Sequence, residues 1–581
     1  MAARNMAALI VPSCDPHQSE AVSSRWQARQ WVSGFTGSAG SLVITARQAV
    51  LWVDGRYFIQ AEQELRGSGI RLLKGREPGV PTVNEWILAH LKKGQAVVCD
   101  GTLFSVEAAR EMEKAFSPKQ LRLRMHEDLV GRVWKDRPGF PAGPALDYPL
   151  AYAGVSRRDK LKTVRAHLAE KKADYLLLAS LDDIAWLFNI RGSDVANCPV
   201  VLAYALVGMK KVCLFADESK FPKLLKKRLA TAGVSLHSYG AVAGHLKSLP
   251  PSKFLCYNPR RVSRWLADAL PDSMRTIEET PDITTTLKAV KNPVEQGHFQ
   301  KAALMDGLAI VRFMAWLERA LKAGEPVTEY SAGEKLASLR REAPECRGDS
   351  FSVICGYQAN GAIVHYRADS RRSSILGKNG LLLVDSGGQY FGGTMDTTRT
   401  VALGPVPRLA CLNYTRVLKG FLALSHVRFP TGTTGTHLDT LARLPLWAEG
   451  LNYRHGSGHG VGSYLNVHEG PHGFSPVWSP CALKPGMVTT IEPGYYEPGK
   501  YGIRIENMVL VKPYKTTGCG EFLQFETLTL CPFDTTPVVM SRLTSEERDW
   551  LNHYHRRVWR LLSPRLDPIQ REWLKRKTAP I

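Results

Sequence analysis

Leu381–Thr400 reads LLLVDSGGQYFGGTMDTTRT, and the fold turns on how this stretch is read. Leu381–Val384 is apolar, as a buried strand is, and Gly387–Gly388 and Gly392–Gly393 bracket a turn. Folded as a hairpin, the stretch puts Asp385 and Asp396 roughly opposite each other, with both side chains on one face. Two carboxylates that close repel, so the pair requires a shared proton or a cation between them. A solvated turn with two unrelated aspartates is the plain alternative. Residues further along the chain decide between the two.

The next dense stretch is His455–Glu469, HGSGHGVGSYLNVHE, with histidines at 455, 459 and 468 among small glycines. Neutral imidazole is a common metal ligand, and glycine neighbours allow a cation and a substrate to come close. In GMVTTIEPGYY, Glu492 ends a β-branched run before a Pro-Gly turn. YGIRIENMVLV alternates, so that Ile503 and Ile505 face one way and Arg504 and Glu506 the other. A buried strand that carries a carboxylate needs a charge to neutralise it. Asp385, Asp396, His459, Glu492 and Glu506 together offer four carboxylates and one imidazole. Hard oxygen ligands with one nitrogen suit Mn²⁺, Co²⁺ or Zn²⁺. Four carboxylates are too many for one ion with an open position, whereas two ions about 3.5–4 Å apart share bridging carboxylates and activate a water.

Outside these stretches the chain reads as ordinary α/β protein. Its 581 residues exceed one core, and 44% hydrophobic with 22% charged residues is a globular balance. The opening MAARNMAALIVPSC lacks a signal-peptide core, and no run of about 18 apolar residues could span a membrane. Eleven cysteines without a CxxC pair fit reduced thiols, which points to a soluble, cytoplasmic protein. The net charge of +22 is spread along the chain, with clusters at Lys223–Arg228 and from Arg556 to Lys577. No stacking-aromatic motif or basic recognition helix accompanies it, so a solvated surface explains it better than specific nucleic-acid binding. GFTGSAG at Gly34–Gly40 lacks the Gly-Lys-Ser/Thr ending of a phosphate loop and reads as a tight turn.

Strands are expected at Leu42–Ile44 and Ala49–Val53 in a first domain, which ends in the linker of Pro138, Pro141 and Pro144. A second α/β domain follows, with a helix at Arg157–Lys172 and strands at Tyr175–Ser180, Val200–Leu206, Lys211–Phe215 and Phe254–Tyr257. Asp182 and Asp183 read as helix caps, and the two domains look alike in kind without a repeat in the letters. Asn292-Pro293 with Glu295 opens a long helix running to Leu321, packed on one side through Leu304, Leu308, Val311 and Ala315. SFSVICGYQANGAIVHYRAD then gives a strand, a turn at Asn360–Gly361, and His365 on the next extended run.

These stretches resemble the Xaa-Pro aminopeptidases, or aminopeptidase P, of the long three-domain type. The matching text is VSGFTGSAG, VDGRYFIQA, DDIAWLFNIRGSD, NGAIVHYRA, VDSGGQY…GTMDTTRT, HGSGHGVGSYLNVHEGP, EPGYYEPG, YGIRIEN and, near the end, LTSEERDWLNHYH. The metal-ligand motifs are shared with prolidases and methionine aminopeptidases, and the first two domains with NVHEGP point to aminopeptidase P. The resemblance implies two creatinase-like α/β domains, 1–145 and 146–287, a pita-bread α+β catalytic domain, 288–515, and a C-terminal extension, 516–581. It implies two Mn²⁺ per chain, with Co²⁺ or Zn²⁺ as substitutes, and a homodimer formed through the catalytic domain. The implied activity is release of an N-terminal residue that precedes proline, through hydroxide held by the metal pair. Asp385 would hold one metal, His459 with Glu492 the other, and Asp396 and Glu506 would bridge. His365 and His468 match histidines near the scissile bond and the oxyanion, His455 one lining the proline pocket, and Tyr496 and Arg504 residues that polarise the site.

Met395, Thr397 and Ile491 depart from the pattern, as does Ser457 in a minor way, and none removes a ligand. Met395 and Ile491 are the departures expected to bear on metal affinity, and against the family pattern a leading helix is expected to be missing from the opening. A dipeptidase of the prolidase type and a non-catalytic pita-bread nucleic-acid-binding protein are the alternatives. Arg504 shares a face with Glu506, so it is expected to be held by the acidic cluster rather than free to clamp a substrate carboxylate.

Overall fold

The computed structural model describes residues 6–581; the reading of the first five residues lies outside it. The chain forms two compact units that divide between Leu287 and Lys288.

The first unit contains two six-stranded mixed sheets. One is built from β1 (Met6–Pro12), β2 (Ser41–Thr45), β3 (Ala49–Val53), β4 (Ile70–Lys74), β5 (Ala96–Val98) and β6 (Arg122–Arg124), in the order β4-β3-β2-β1-β5-β6. The other uses β7 (Tyr175–Leu178), β8 (Ala203–Gly208), β9 (Val212–Ala216), β10 (Val234–His237), β11 (Phe254–Tyr257) and β12 (Arg275–Glu278), in the order β10-β9-β8-β7-β11-β12. In each, two antiparallel pairings are followed by a parallel one on one side of the first strand, and two parallel pairings lie on the other. The repeat that is invisible in the letters is therefore present in the topology. Sheets conserve their pairing through burial pattern rather than residue identity, which explains the difference. Strand and helix positions follow expectation within a few residues, the strand expected at Val200–Leu206 being shifted to Ala203–Gly208.

One expectation here is corrected. Asp182 and Asp183 are not caps: Ser180 is the N-cap of the helix Leu181–Leu187, and the aspartates lie in its first turn. Asp183 is buried and accepts a hydrogen bond from Thr285 Oγ1 at 2.7 Å.

In the second unit the helix Pro293–Ala323 begins as expected, with Asn292 capping Val294 and Glu295 in a reciprocal capping box. It is buried on more than the single expected face. Phe299, Ala302 and Ala303 join one apolar cluster, while Ile310, Phe313 and Leu317 join another, so the helix is wedged between two cores. Its buried Asp306 is matched by Arg340 at 2.7 Å.

Strands β13 (Leu381–Ser386) and β14 (Thr397–Ala402) are antiparallel, and every residue of β13 is buried. The register puts Asp385 opposite Thr398, not Asp396. The intervening residues do not form one simple turn. Gly388–Tyr390 and Gly393–Thr394 make their own small hairpin, which carries Asp396 two residues upstream of the partner position. Because side chains alternate with a period of two, Asp396 and Thr398 keep the same face, and the convergence survives the shift. His365 is also re-placed. It lies in a turn after the 3₁₀ segment Gln358–Ala362, not on an extended run. Val488–Ile491 (β15) pairs antiparallel with Asn507–Thr517 (β17), while Gly494–Glu497 pairs with Tyr501–Arg504 (β16). Among the described residues no helix is long and apolar enough to cross a membrane, and all eleven cysteines are free thiols.

Candidate metal centre

Five segments bring together the four carboxylates and the imidazole. Asp385 is the last residue but one of β13, Asp396 precedes β14, His459 belongs to the short strand Gly458–His459, Glu492 follows β15, and Glu506 joins β16 to β17. One ligand atom each from Asp396, His459 and Glu506 lies within 4.8 Å of the others. His459 Nε2 stands 3.4 Å from Asp396 Oδ2 and 3.6 Å from Glu492 Oε1. Its Nδ1 lies 2.9 Å from the carbonyl oxygen of Gly460, so with Nδ1 as donor the Nε2 lone pair faces the carboxylates. A glycine is required next to it: a Cβ on Gly458 would sit 2.1 Å from the Thr490 carbonyl oxygen.

The expected face alternation holds. Ile503 and Ile505 are fully buried in the apolar core, while Arg504 and Glu506 both reach Thr398. Thr398 Oγ1 donates to Glu506 Oε2 at 2.8 Å and accepts from Arg504 Nε at 3.3 Å. Arg504 is engaged on every side: Nη2 with Asp385 Oδ2 at 2.5 Å and Val364 O at 3.3 Å, Nη1 with the Tyr496 hydroxyl at 2.6 Å. It is held within the acidic cluster, as its strand face implies.

Electrostatics decides what the cluster lacks. Burial, reinforced by the Asp396 charge and offset by Arg504, raises the Asp385 carboxyl above the usual range. Burial pushes Glu492 up to about 7, against the pull of His459, with Asp396 adding repulsion. Burial and the charges of Asp396, Glu492 and Asp385 hold Glu506 well above the ordinary carboxylate range. Asp385 Oδ1 and Glu506 Oε1 are buried without a hydrogen-bond partner. Orphaned buried carboxylate oxygens beside like charges are the condition that bound cations relieve, so the residues fit a metal pair.

The histidines are arranged around this set. His455 Nδ1 lies 2.7 Å from the Gly456 carbonyl oxygen, and its Nε2 2.8 Å from the Tyr496 hydroxyl. A chain of polar contacts thus runs from Asp385 through Arg504 and Tyr496 to His455. The exposed His468 packs edge-to-face against His459, with ring centroids 4.3 Å apart. His365 follows Val364, whose carbonyl oxygen Arg504 holds.

Several contributors were not singled out in the sequence. Thr398 is one, and its signal was available: it follows Asp396 by two on the same strand face. On the helix Gly435–Trp447, Arg443 pairs with Asp439 at 2.6 Å and donates to the carbonyl oxygens of Tyr453 and His455 at 2.8 and 2.7 Å. Asp439 also accepts from Ser457 Oγ at 2.6 Å, so the pair fixes the loop that carries His455. Buried Lys288 and Lys291 both meet buried Glu469, next to His468. The departures Met395 and Ile491 bury their side chains in apolar clusters.

Known proteins are similar to this chain along its whole length. Residues 297–513 match the model of metallopeptidase family M24, and 521–581 its C-terminal region. Residues 1–127 and 136–295 match creatinase/prolidase N-terminal domains. A probable Xaa-Pro aminopeptidase P of Laccaria bicolor is 40% identical, covering 100% of this chain and 92% of that protein. Aminopeptidase P1 of Lotus japonicus is 37% identical over 99% and 97%. The crystal structure of X-prolyl aminopeptidase from Caenorhabditis elegans, described as a cytosolic enzyme with a di-nuclear active site, superposes with a TM-score of 0.95 at 34% identity, covering 99% of this chain and 95% of that one. Two creatinase-type domains followed by an M24 pita-bread domain, related over the full length to these proteins, mean that this chain belongs to the Xaa-Pro aminopeptidase P family of metallopeptidases.

Proposed function

We propose that this chain is a two-metal aminopeptidase that releases the N-terminal residue from peptides with proline in second position. The observation that carries the reading is the convergence of four carboxylates and one imidazole, with two buried carboxylate oxygens left unpartnered. Asp385 would hold one ion and His459 with Glu492 the other, with Asp396 and Glu506 shared between them. When bound, such a pair polarises a carbonyl oxygen and lowers the pKa of water. Mn²⁺ is the ion proposed, with Co²⁺ or Zn²⁺ as substitutes, because the donors are mostly hard carboxylate oxygens.

The protein's own residues supply the rest. Arg504 fixes the Asp385 carboxylate and the Tyr496 hydroxyl, so the position of His455 beside the substrate proline depends on the acidic cluster. One histidine donor, His365 or His468, stabilises the oxygen of the scissile carbonyl as negative charge develops on it. A donor in that role is worth roughly 3–4 kcal/mol. Because Arg504 is engaged on all sides, no clamp for a carboxylate directly after proline comes from it, which favours peptides over Xaa-Pro dipeptides.

We further propose a cytoplasmic homodimer joined through the catalytic domain, with domains at 1–145, 146–287 and 288–515 and an extension at 516–581. The test is hydrolysis of Arg-Pro-Pro, Gly-Pro and an alanine-for-proline control with added Mn²⁺, with metal content measured in wild type and Glu506→Ala. Faster cleavage of Arg-Pro-Pro than of Gly-Pro, loss of most of the rate with alanine in place of proline, and about two metals per wild-type chain are expected. Gly-Pro as the better substrate would make the chain a prolidase, and selective RNA binding without hydrolysis would favour the non-catalytic reading that its +22 charge suggests.

A further inference from the structure

The first unit holds a second cluster of metal-ligating atoms, unrelated to the carboxylates. Cys213 on β9, His237 at the end of β10 and His245 on the helix Val242–Lys247 place one ligand atom each within 4.8 Å of one another. Among the described residues, that spacing recurs only at Asp396, His459 and Glu506, the heart of the centre described above. The topology explains the convergence. β9 and β10 run parallel with Phe215 opposite His237, so Cys213, two residues before Phe215, lies on the same face as His237. The helix then returns across that face and brings His245 to within 4.6 Å of His237, ring to ring.

Packing alone does not account for the three polar groups. Phe215 explains an aromatic neighbour for each ring, at 5.5 Å from His237 and 4.9 Å from His245. It does not explain a thiol at the same point. The thiol and the His237 ring have no hydrogen-bond partner among the described residues. His245 Nδ1 lies 3.2 Å from the carbonyl oxygen of Ala241, which leaves its Nε2 for a ligand. All three residues are half-buried, within reach of solvent yet backed by the sheet.

We propose that Cys213, His237 and His245 form a binding site for one zinc-class divalent ion, with water completing the coordination. One thiolate with two imidazoles is a softer donor set than the carboxylate cluster, so it selects Zn²⁺ or Co²⁺ over Mn²⁺. Small side-chain rotations bring the donors from their present spacing to about 2.3 Å for sulfur and about 2.0–2.1 Å for nitrogen around Zn²⁺. The sulfur–metal bond forms as the thiol proton leaves for solvent: Cys–SH + M²⁺ gives Cys–S⁻·M²⁺ + H⁺. Burial raises the thiol above its ordinary value, so without metal Cys213 carries that proton. The ion joins the edge strand β10 to its neighbour and to the following helix, so it acts as a brace for this sheet.

The test uses the full chain, stripped with a chelator, reloaded with Mn²⁺ and titrated with Co²⁺. A thiolate-to-Co²⁺ charge-transfer band saturating at one Co²⁺ per chain is expected. The band should vanish in Cys213→Ser and in the double variant His237→Gln/His245→Gln. It should persist in Asp396→Asn, which separates this site from the carboxylate centre. Absence of the band in wild type would overturn the proposal, as would its survival in either cluster variant. X-ray absorption on the Zn²⁺-loaded chain gives a second readout: a sulfur shell lost in Cys213→Ser supports the site, and one that persists assigns the ion to another cysteine.

Discussion

At the scale of the residue, Thr398 shows how much one hydroxyl arranges. It holds Glu506 Oε2 and meets Arg504 Nε, and so orients a carboxylate of the candidate centre and the guanidinium that fixes Asp385. Partners that orient metal ligands are worth about 10–100-fold in metal affinity or activity. Thr398→Val should therefore lower Mn²⁺ affinity or kcat by about that factor while leaving the circular dichroism spectrum unchanged. Glu492 supplies a pH signature. Burial puts its carboxyl at about 7 in the metal-free fold, against an ordinary value of 4.5, so the fold retains a proton that the unfolded chain releases. That stabilisation is complete below about 4.5 and is lost as pH rises through about 7. Buried His472, pushed down to about 4, works in the opposite direction between there and 6.5, so the comparison must be with Glu492→Gln. Chelator-treated wild type should lose thermal stability relative to Glu492→Gln between pH 5 and 7.5, and Mn²⁺ should restore it. Parallel profiles for the two proteins would show that Glu492 does not titrate in that window.

At the scale of the element, the site depends on close approaches and buried ion pairs. Gly502 on β16 lies against the 3₁₀ segment, and a Cβ there would sit 1.7 Å from the Gly361 carbonyl oxygen. Gly502→Ala must push β16 away from the segment that leads to Val364 and His365. Since Arg504 lies on the same strand, kcat should fall more than KM rises, and a steady-state assay at saturating Mn²⁺ separates the two. Glu469 binds the histidine loop to Lys288 and Lys291, all three buried. Removing the carboxylate strands two ammonium groups in the interior, a loss of roughly 3–5 kcal/mol for a broken buried pair. Glu469→Gln is therefore expected to lower the Tm of the catalytic transition, and Lys291→Met, which leaves one lysine on one carboxylate, to lower it less.

For the whole molecule, the open question is what the substrate meets beyond proline. The loop after His468, GPHGFSPVWSP, is irregular except for the two residues Gly473–Phe474, and it exposes Val477 and Trp478. Glycine and proline keep such a loop from closing as a helix would. Tripeptides and longer peptides with proline second should thus exceed Xaa-Pro dipeptides in kcat/KM, and alanine in place of proline should abolish most of the rate. A peptide series of increasing length read by mass spectrometry decides this. The same preparations in light scattering test the dimer, with a mass near twice 64.4 kDa expected.

The sequence by itself picked out the residues that converge in the candidate centre. Asp385, Asp396, His459, Glu492 and Glu506 were legible because each sits in a short local pattern, a strand end, a glycine run or a Pro-Gly turn, whose geometry is set within a few residues. The capping box at Asn292 and the alternation Ile503–Glu506 were legible for the same reason. Only the tertiary structure decided the register, because an inserted hairpin shifts Asp396 relative to Asp385 without altering the period that keeps its face. It alone decided that Arg443 reaches His455, that Lys288 and Lys291 share Glu469, and that two unlike stretches each fold into a six-stranded sheet with the same pairing pattern. The cluster of Cys213, His237 and His245 belongs with these. Its members come from two strands and a helix, and no local spacing records a meeting produced by parallel strand pairing and the return of a helix.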